Sequence, residues 1–264
     1  MKPVRASVLA SRYADKMEID VSELIASKLG SSIHDSIEKI NTPDVTKEQR
    51  TTREVQIGDI TFTVSGKYDV LTFKEGEWQL RDIKTTSVWA YILGGKDEEY
   101  CKQLSIYRWL LSTRHDVKDV AYIDFIFTDW QGSKAKQDKD YPQQRIMASY
   151  KIDLMSLEDT EKYIKERLNE YLKHRNTPDE QLPRCIDKEL WRTETTFAVM
   201  KVGNQKATKV CNSQKEAELY IADKQIQKSF IETRPGKVKR CRYCQSAPYC
   251  NQYSYYLANG LVDF

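Results

Sequence analysis

The sequence predicts an α/β fold, a mixed central sheet flanked by helices, followed by a basic, cysteine-rich C-terminal extension. Three observations carry that expectation. Strand-like runs and helix-period runs interleave through the first 175 residues. The Pro-containing stretch NTPDEQLPRC (176–185) then marks a boundary. Beyond it the charge changes sign: residues 201–264 hold 11 Lys/Arg against 5 Asp/Glu, whereas the whole chain is only +3. The expected organisation is a core over 1–178 and an extension over 179–264 that packs on it.

The elements follow in order. VSELIASKLGSSIHDSIEKI (21–40) spaces Val21, Leu24, Ile25, Leu29, Ile33, Ile37 and Ile40 at helical period, with Asp20 or Ser22 as cap. Gly30 costs this helix about 1 kcal/mol against Ala, so the helix bends there or something passes close to it. His34 and Glu38 share a face. A polar loop is expected over 41–52, two strands over 53–73, a turn at KEGE (74–77) and a third strand in EWQLRDIKT (77–85). A helix follows over 97–113, a buried strand over 117–130, a loop over 131–144 and a strand over 145–154. SLEDTEKYIKERLNEYLKHR (156–175) reads as an amphipathic helix with Ser156 and Asp159 as a capping box. In the extension, a hairpin around GNQ (203–205) and a helix over 213–230 are expected.

Composition narrows the class. A chain of 264 residues, 40% hydrophobic, can bury one large core or a core with a subdomain. Charged residues reach 31% without a long block of one sign, which argues against wholesale disorder. No run approaches the roughly 18 apolar residues of a membrane span, and the first 20 residues lack a signal peptide's apolar stretch. A cytoplasmic protein with no membrane partner is expected.

The strand at 77–85 carries Asp82 and Lys84, two apart and so on one face. Asp69, in SGKYDV, would come beside Asp82 through a hairpin. Converging carboxylates repel unless a cation lies between them, and hard oxygen ligands suit Mg²⁺ or Mn²⁺. The main-chain carbonyl of Ile83 is a further candidate ligand. A divalent cation beside a lysine suits phosphodiester hydrolysis, with the amine stabilising charge on the phosphate.

Four motifs resemble one family. Gly66-x-x-Asp69, Asp82-x-Lys84 and Gln103-x-x-x-Tyr107 look like the signature of PD-(D/E)xK nucleases, specifically the RecB-like branch, and GSSIHDSIE resembles that branch's G-x-x-x-H-x-x-x-E element. They occur in the family's order over roughly residues 25–110. The resemblance implies a restriction-endonuclease-like core, with His34, Asp69 and Asp82 as metal ligands and Lys84 as catalytic. Gln103 and Tyr107 then position substrate or active-site groups. Glu38 has the least defined role.

Cysteines form the second signal. CRYCQSAPYC places Cys241, Cys244 and Cys250 as C-x2-C-x5-C. Three thiols this close suit metal in a cytosolic chain and call for a fourth ligand, in a tetrahedral zinc site or an iron–sulfur cluster. Cys185 is the choice, Cys211 the competitor, and Cys101 is expected buried in the 97–113 helix. A distant cysteine with such a C-terminal triplet resembles the iron–sulfur nucleases, among them CRISPR-adaptation exonucleases and AddB subunits. Their remote cysteine precedes the nuclease motifs, and here none does, so the fourth ligand and the metal stay open. The resemblance favours 4Fe–4S over Zn²⁺.

Arg234, Lys237, Lys239, Arg240 and Arg242, with tyrosines nearby, suit a nucleic-acid backbone and exposed bases. The expected function is therefore a divalent-metal-dependent deoxyribonuclease, an exonuclease acting on single- or double-stranded DNA ends in recombination, repair or phage DNA processing. The expected setting is a bacterial or phage-infected cell, with a recombination or replication protein as partner. The alternatives are a DNA-binding or scaffolding module with a vestigial site, and a sequence- or structure-specific endonuclease.

Overall fold

The computed structural model describes residues 2–17, 25, 28, 30–33, 45–47 and 49–263. Two compact units divide the chain. One spans residues 19–169, and the other joins residues 2–18 to 170–264.

The first unit is built on a five-stranded sheet of order β1 (Val45–Lys47), β4 (Val70–Lys74), β5 (Glu77–Thr86), β6 (Val117–Phe127) and β7 (Ile146–Asp153). The sheet is mixed, because β5 and β6 run parallel while the other neighbours are antiparallel. Glu75 and Gly76 turn the β4–β5 hairpin with φ of 56° and 83°. A two-residue turn with both angles positive matches the twist of the strands it joins. The crossover from β5 to β6 carries a helix over Asp97–Leu111, which opens on Asp97, Glu98 and Glu99, acids that suit the positive end of a helix. Its Leu104 packs with Leu71, Leu80, Ala121, Ile123 and Phe127 in the main core.

Residues 53–73 contain parts of three strands where two were expected. Strand β2 (Arg50–Ile57) begins inside the expected 41–52 loop, as does β1, and pairs with β3 (Ile60–Lys67) across Gly58 and Asp59. This hairpin packs Val55 against Trp109, Leu110 and Ile164. The expected loop over 131–144 also holds a short helix, Gly132–Gln137. The helix Leu157–His174 begins as expected: the Asp159 amide donates to Ser156 Oγ (2.9 Å), and that hydroxyl donates to the Asp159 carboxylate (2.7 Å).

The second unit contains an antiparallel sheet of order β10 (Ser229–Arg234), β8 (Thr196–Lys201) and β9 (Lys209–Cys211). The helix expected over 213–230 ends at Asp223, and Ser229–Arg234 is strand. Gln225 and Lys228 adopt φ of 45° and 51°, so residues other than glycine make the break. An N-terminal helix, Val4–Arg12, belongs to this unit. Its Val4, Val8 and Leu9 pack with Leu182. Arg5 is 2% exposed and donates to the carbonyls of Leu182 (3.0 Å) and Pro183 (3.2 Å) and to Asn251 Oδ1 (3.1 Å). Those bonds offset the cost of burying a guanidinium. Among the described residues, no helix is long and apolar enough to cross a membrane.

Candidate functional site

Asp69 lies immediately before β4, one residue beyond the Val70–Arg81 pair, so antiparallel pairing sets it level with Asp82 on β5. The Ile83 amide donates to Asp69 Oδ2 (2.8 Å), which orients that carboxylate. Asp82 is 2% exposed. Lys84 Nζ stands 2.8 Å from Asp82 Oδ2, so the strand's own lysine supplies a cation beside the carboxylate pair.

The 97–111 helix completes the arrangement. Gln103 Oε1 accepts from Lys84 Nζ (3.2 Å), while Gln103 Nε2 donates to Tyr107 Oη (3.1 Å) and lies 3.4 Å from Asp82 Oδ1. Burial holds the Tyr107 phenol above its ordinary pKa. The Gln103 hydrogen bond and Lys84 pull it down, while Asp82 and Asp69 push it up. The phenol therefore stays protonated at neutral pH. Gly66 serves this contact: a Cβ there would stand 2.8 Å from the Tyr107 ring and 3.0 Å from Leu110. At Gly30 a Cβ would meet Thr85 Oγ1 at 3.0 Å, so the end of β5 is what passes close to that glycine.

The structure thus brings Asp69, Asp82, Lys84, Gln103 and Tyr107 together. His34 and Glu38 lie outside the described residues. Among the described residues no three of His, Cys, Asp and Glu are placed to hold one metal ion. The two carboxylates are oxygen donors of the type Mg²⁺ accepts, and a complete ligand set needs more than they provide. Sequence reasoning missed Tyr100, whose phenol is raised by burial and then by Asp82. Its position three residues before Gln103, on the same helical face, was the available signal.

In the second unit, Cys185, Cys241, Cys244 and Cys250 line one small cavity of about 30 Å³ together with Arg5, Ala6 and Leu9. Burial pushes the Cys185 thiol up to about 12 and the Cys241 thiol up to about 11, and neighbouring cysteines add to both shifts. The four thiols line the cavity without being placed to hold one metal ion, so the expected zinc or iron–sulfur centre is not formed among the described residues. Cys211 is fully buried in β9 beside Val199 and Ala217. Cys101 is half-buried on the 97–111 helix.

The basic residues divide by their contacts. Arg234 pairs with Glu232 (2.7 Å) and Lys239 with Asp263 (3.5 Å). Arg240 lies 5.2 Å over Trp191 and Arg242 lies 5.8 Å over Tyr243. Lys237 is exposed.

Comparison with known proteins places the chain. Among curated proteins none matches it. Among solved structures it is similar to one described as "Crystal structure of SSO0001", with 21% identity and a TM-score of 0.47 over 71% of this chain and 80% of that one. The sequence profile of the PD-(D/E)XK nuclease superfamily matches residues 11–251. A match over that length means that the chain belongs to the PD-(D/E)XK nuclease superfamily.

Proposed function

We propose that this protein is a divalent-metal-dependent DNA nuclease of the RecB-like branch, an exonuclease acting on DNA ends in recombination, repair or phage DNA processing. The observation that carries the reading is the hydrogen-bonded series Asp82–Lys84–Gln103–Tyr107 beside Asp69. A decayed site has no reason to keep an acid, an amine and their positioning groups in register, which disfavours a vestigial module.

Asp69, Asp82 and the Ile83 carbonyl would hold Mg²⁺ or Mn²⁺, with His34 as a further ligand. The cation supplies Lewis-acid polarisation of the phosphate and activation of water. Lys84 places an ammonium where charge develops on the phosphoryl oxygens. Gln103 fixes that ammonium by accepting a hydrogen bond from it, and Tyr107 holds Gln103 from the far side.

The nuclease core is assigned to 1–178 and the extension to 179–264, with the helix Val4–Arg12 packed in the unit that holds the extension. The four thiols of the extension would hold one metal centre. The resemblance to iron–sulfur nucleases supports 4Fe–4S, whereas the small cavity supports Zn²⁺. A brown protein absorbing broadly near 400 nm after anaerobic purification would identify the iron–sulfur form. Stoichiometric zinc in a colourless protein would identify the other.

End-labelled linear DNA incubated with a closed circle and Mg²⁺ or Mn²⁺ tests the activity. Loss of the linear form alone is the expected result. Cutting of both would replace the exonuclease with an endonuclease, and cutting of neither would overturn the nuclease reading.

A further inference from the structure

The second unit contains a cavity of about 330 Å³ whose wall includes Trp191, Tyr243, Arg240 and Lys2, beside Cys185, Cys241 and Cys244 of the proposed thiol centre. We propose that it is a stacking site for unpaired bases of single-stranded DNA, separate in residues from the carboxylate–lysine site. The inference rests on the DNA-nuclease reading above and names the form of DNA this unit takes.

The aromatic residues are placed against the usual tendencies of their type. Trp191 ends the short helix Asp187–Leu190 in the left-handed conformation, with φ 50° and ψ 43°. A bulky residue in that region is strained and persists where its surroundings hold it. Here the Trp191 amide donates to the Lys188 carbonyl (3.3 Å), which fixes the backbone while the indole remains 45% exposed. Tyr243 is 69% exposed, and the two ring centroids are 6.4 Å apart. Neither ring is buried in a core, so packing does not account for the pair.

Charge identifies the occupant. Arg240 lies against the Trp191 ring and Arg242 against the Tyr243 ring. Each ring therefore carries a guanidinium over one face, and a base would stack on the other. A single strand repeats the complementary pattern, one planar base and one phosphate per nucleotide. Aromatic platforms with guanidinium neighbours bind such strands with little sequence preference. Among the described residues Glu189 is the one acid on the cavity wall, and its carboxylate accepts the Ile186 amide (3.0 Å) as a helix cap. A base pair inside a duplex has no free face to offer these rings, so the site discriminates against intact double strands.

The test is equilibrium binding of fluorescent oligothymidylate and of a blunt duplex to the full-length, anaerobically purified protein without added divalent cation. Trp191→Ala and Tyr243→Ala should each weaken oligothymidylate binding by about 5- to 150-fold, the loss expected for one stacked base. Duplex binding should be unchanged. Trp191→Phe should keep affinity but lose the tryptophan quenching that oligothymidylate causes in the wild type. Should Trp191→Ala fail to fold, the exposed Tyr243 provides the decisive variant. Wild-type affinity in Tyr243→Ala, equal losses for duplex and single strand, or no binding of oligothymidylate by the wild type would overturn the stacking site. Cleavage of linear DNA by the wild type would leave the nuclease reading standing in each of those cases, so the two can fail separately.

Discussion

The carboxylate–lysine site and the cysteine-lined cavity are the two places where a metal is proposed, and the chain prepares them differently. In the first, the proposed active groups among the described residues already touch one another: Lys84 reaches Asp82 and Gln103, Gln103 reaches Tyr107, and the Ile83 amide orients Asp69. In the second, burial drives two of the four thiols toward the protonated form, to about 12 for Cys185 and about 11 for Cys241. Thiols must shed those protons before they ligate, so metal binding there is linked to pH and to folding. The contrast teaches that a site can be organised by its own hydrogen bonds before ligand arrives, or can depend on the ligand for its organisation.

The largest expected effect breaks the second arrangement. Replacing Cys185, Cys241, Cys244 or Cys250 by Ser should lose the metal and the cooperative unfolding of the second unit, since structural thiolate centres contribute about 10 kcal/mol or more to folding. Cys211→Ser should keep the metal and show only a packing loss. Metal content together with thermal melts checks both, and metal loss in Cys211→Ser would reassign the fourth ligand.

The first arrangement should respond in rate. Lys84→Ala should lower turnover by about 10²–10³-fold. Lys84→Arg keeps a cation beside buried Asp82, so its melting temperature should stay near wild type while turnover still falls. Wild-type turnover in Lys84→Ala would remove the lysine from the chemistry.

Gly66→Ala tests whether the helix must sit against the strand. The added methyl would press on Tyr107 and Leu110, and overpacking of this kind costs about 1–3 kcal/mol. Turnover should drop more than substrate affinity, because Tyr107 positions Gln103 and hence Lys84. Equal losses in kcat and in stability-corrected binding would make Gly66 a packing residue only.

The smallest effect concerns Asp179 in the second unit. Burial works to raise its pKa, but the Tyr13 hydroxyl and the Arg12 guanidinium outweigh that and hold the carboxyl below its usual value. A depressed carboxylate stabilises the fold above its unfolded pKa of about 4 and loses that contribution as pH falls through the folded value. Asp179→Asn should cost about 1 kcal/mol at neutral pH and flatten the acid limb of stability. Parallel pH–melting curves for the two proteins would refute the assignment.

How much of this was legible in the sequence depended on how local the signal was. The period of two that sets Asp82 beside Lys84, the turn signal at Glu75–Gly76 and the helical offset of Gln103 and Tyr107 are all short-range, and each appears in the structure. The strand Ser229–Arg234 was hidden because Gln225 and Lys228, rather than glycine, take the left-handed angles that stop the preceding helix. Trp191 was missed for the same reason. The place of the N-terminal helix could not be read locally, since Arg5 finds its acceptors at Leu182, Pro183 and Asn251.

That last feature sets an order of assembly. Synthesis proceeds from the N-terminus, and domains generally fold as units during it. Residues 19–169 form a unit contiguous in sequence, which can fold once that stretch has emerged. The helix Val4–Arg12 must wait for residues 177 to 246 positions after Arg5 before its guanidinium can be satisfied, and the ends of such a loop close at an entropic cost that grows slowly with length. Because Arg5, Ala6 and Leu9 help wall the cysteine cavity, that cavity is enclosed only when the first and last parts of the chain have met. If the four thiols hold a metal as proposed, it would load only after Cys250 has been made and the helix Val4–Arg12 has docked.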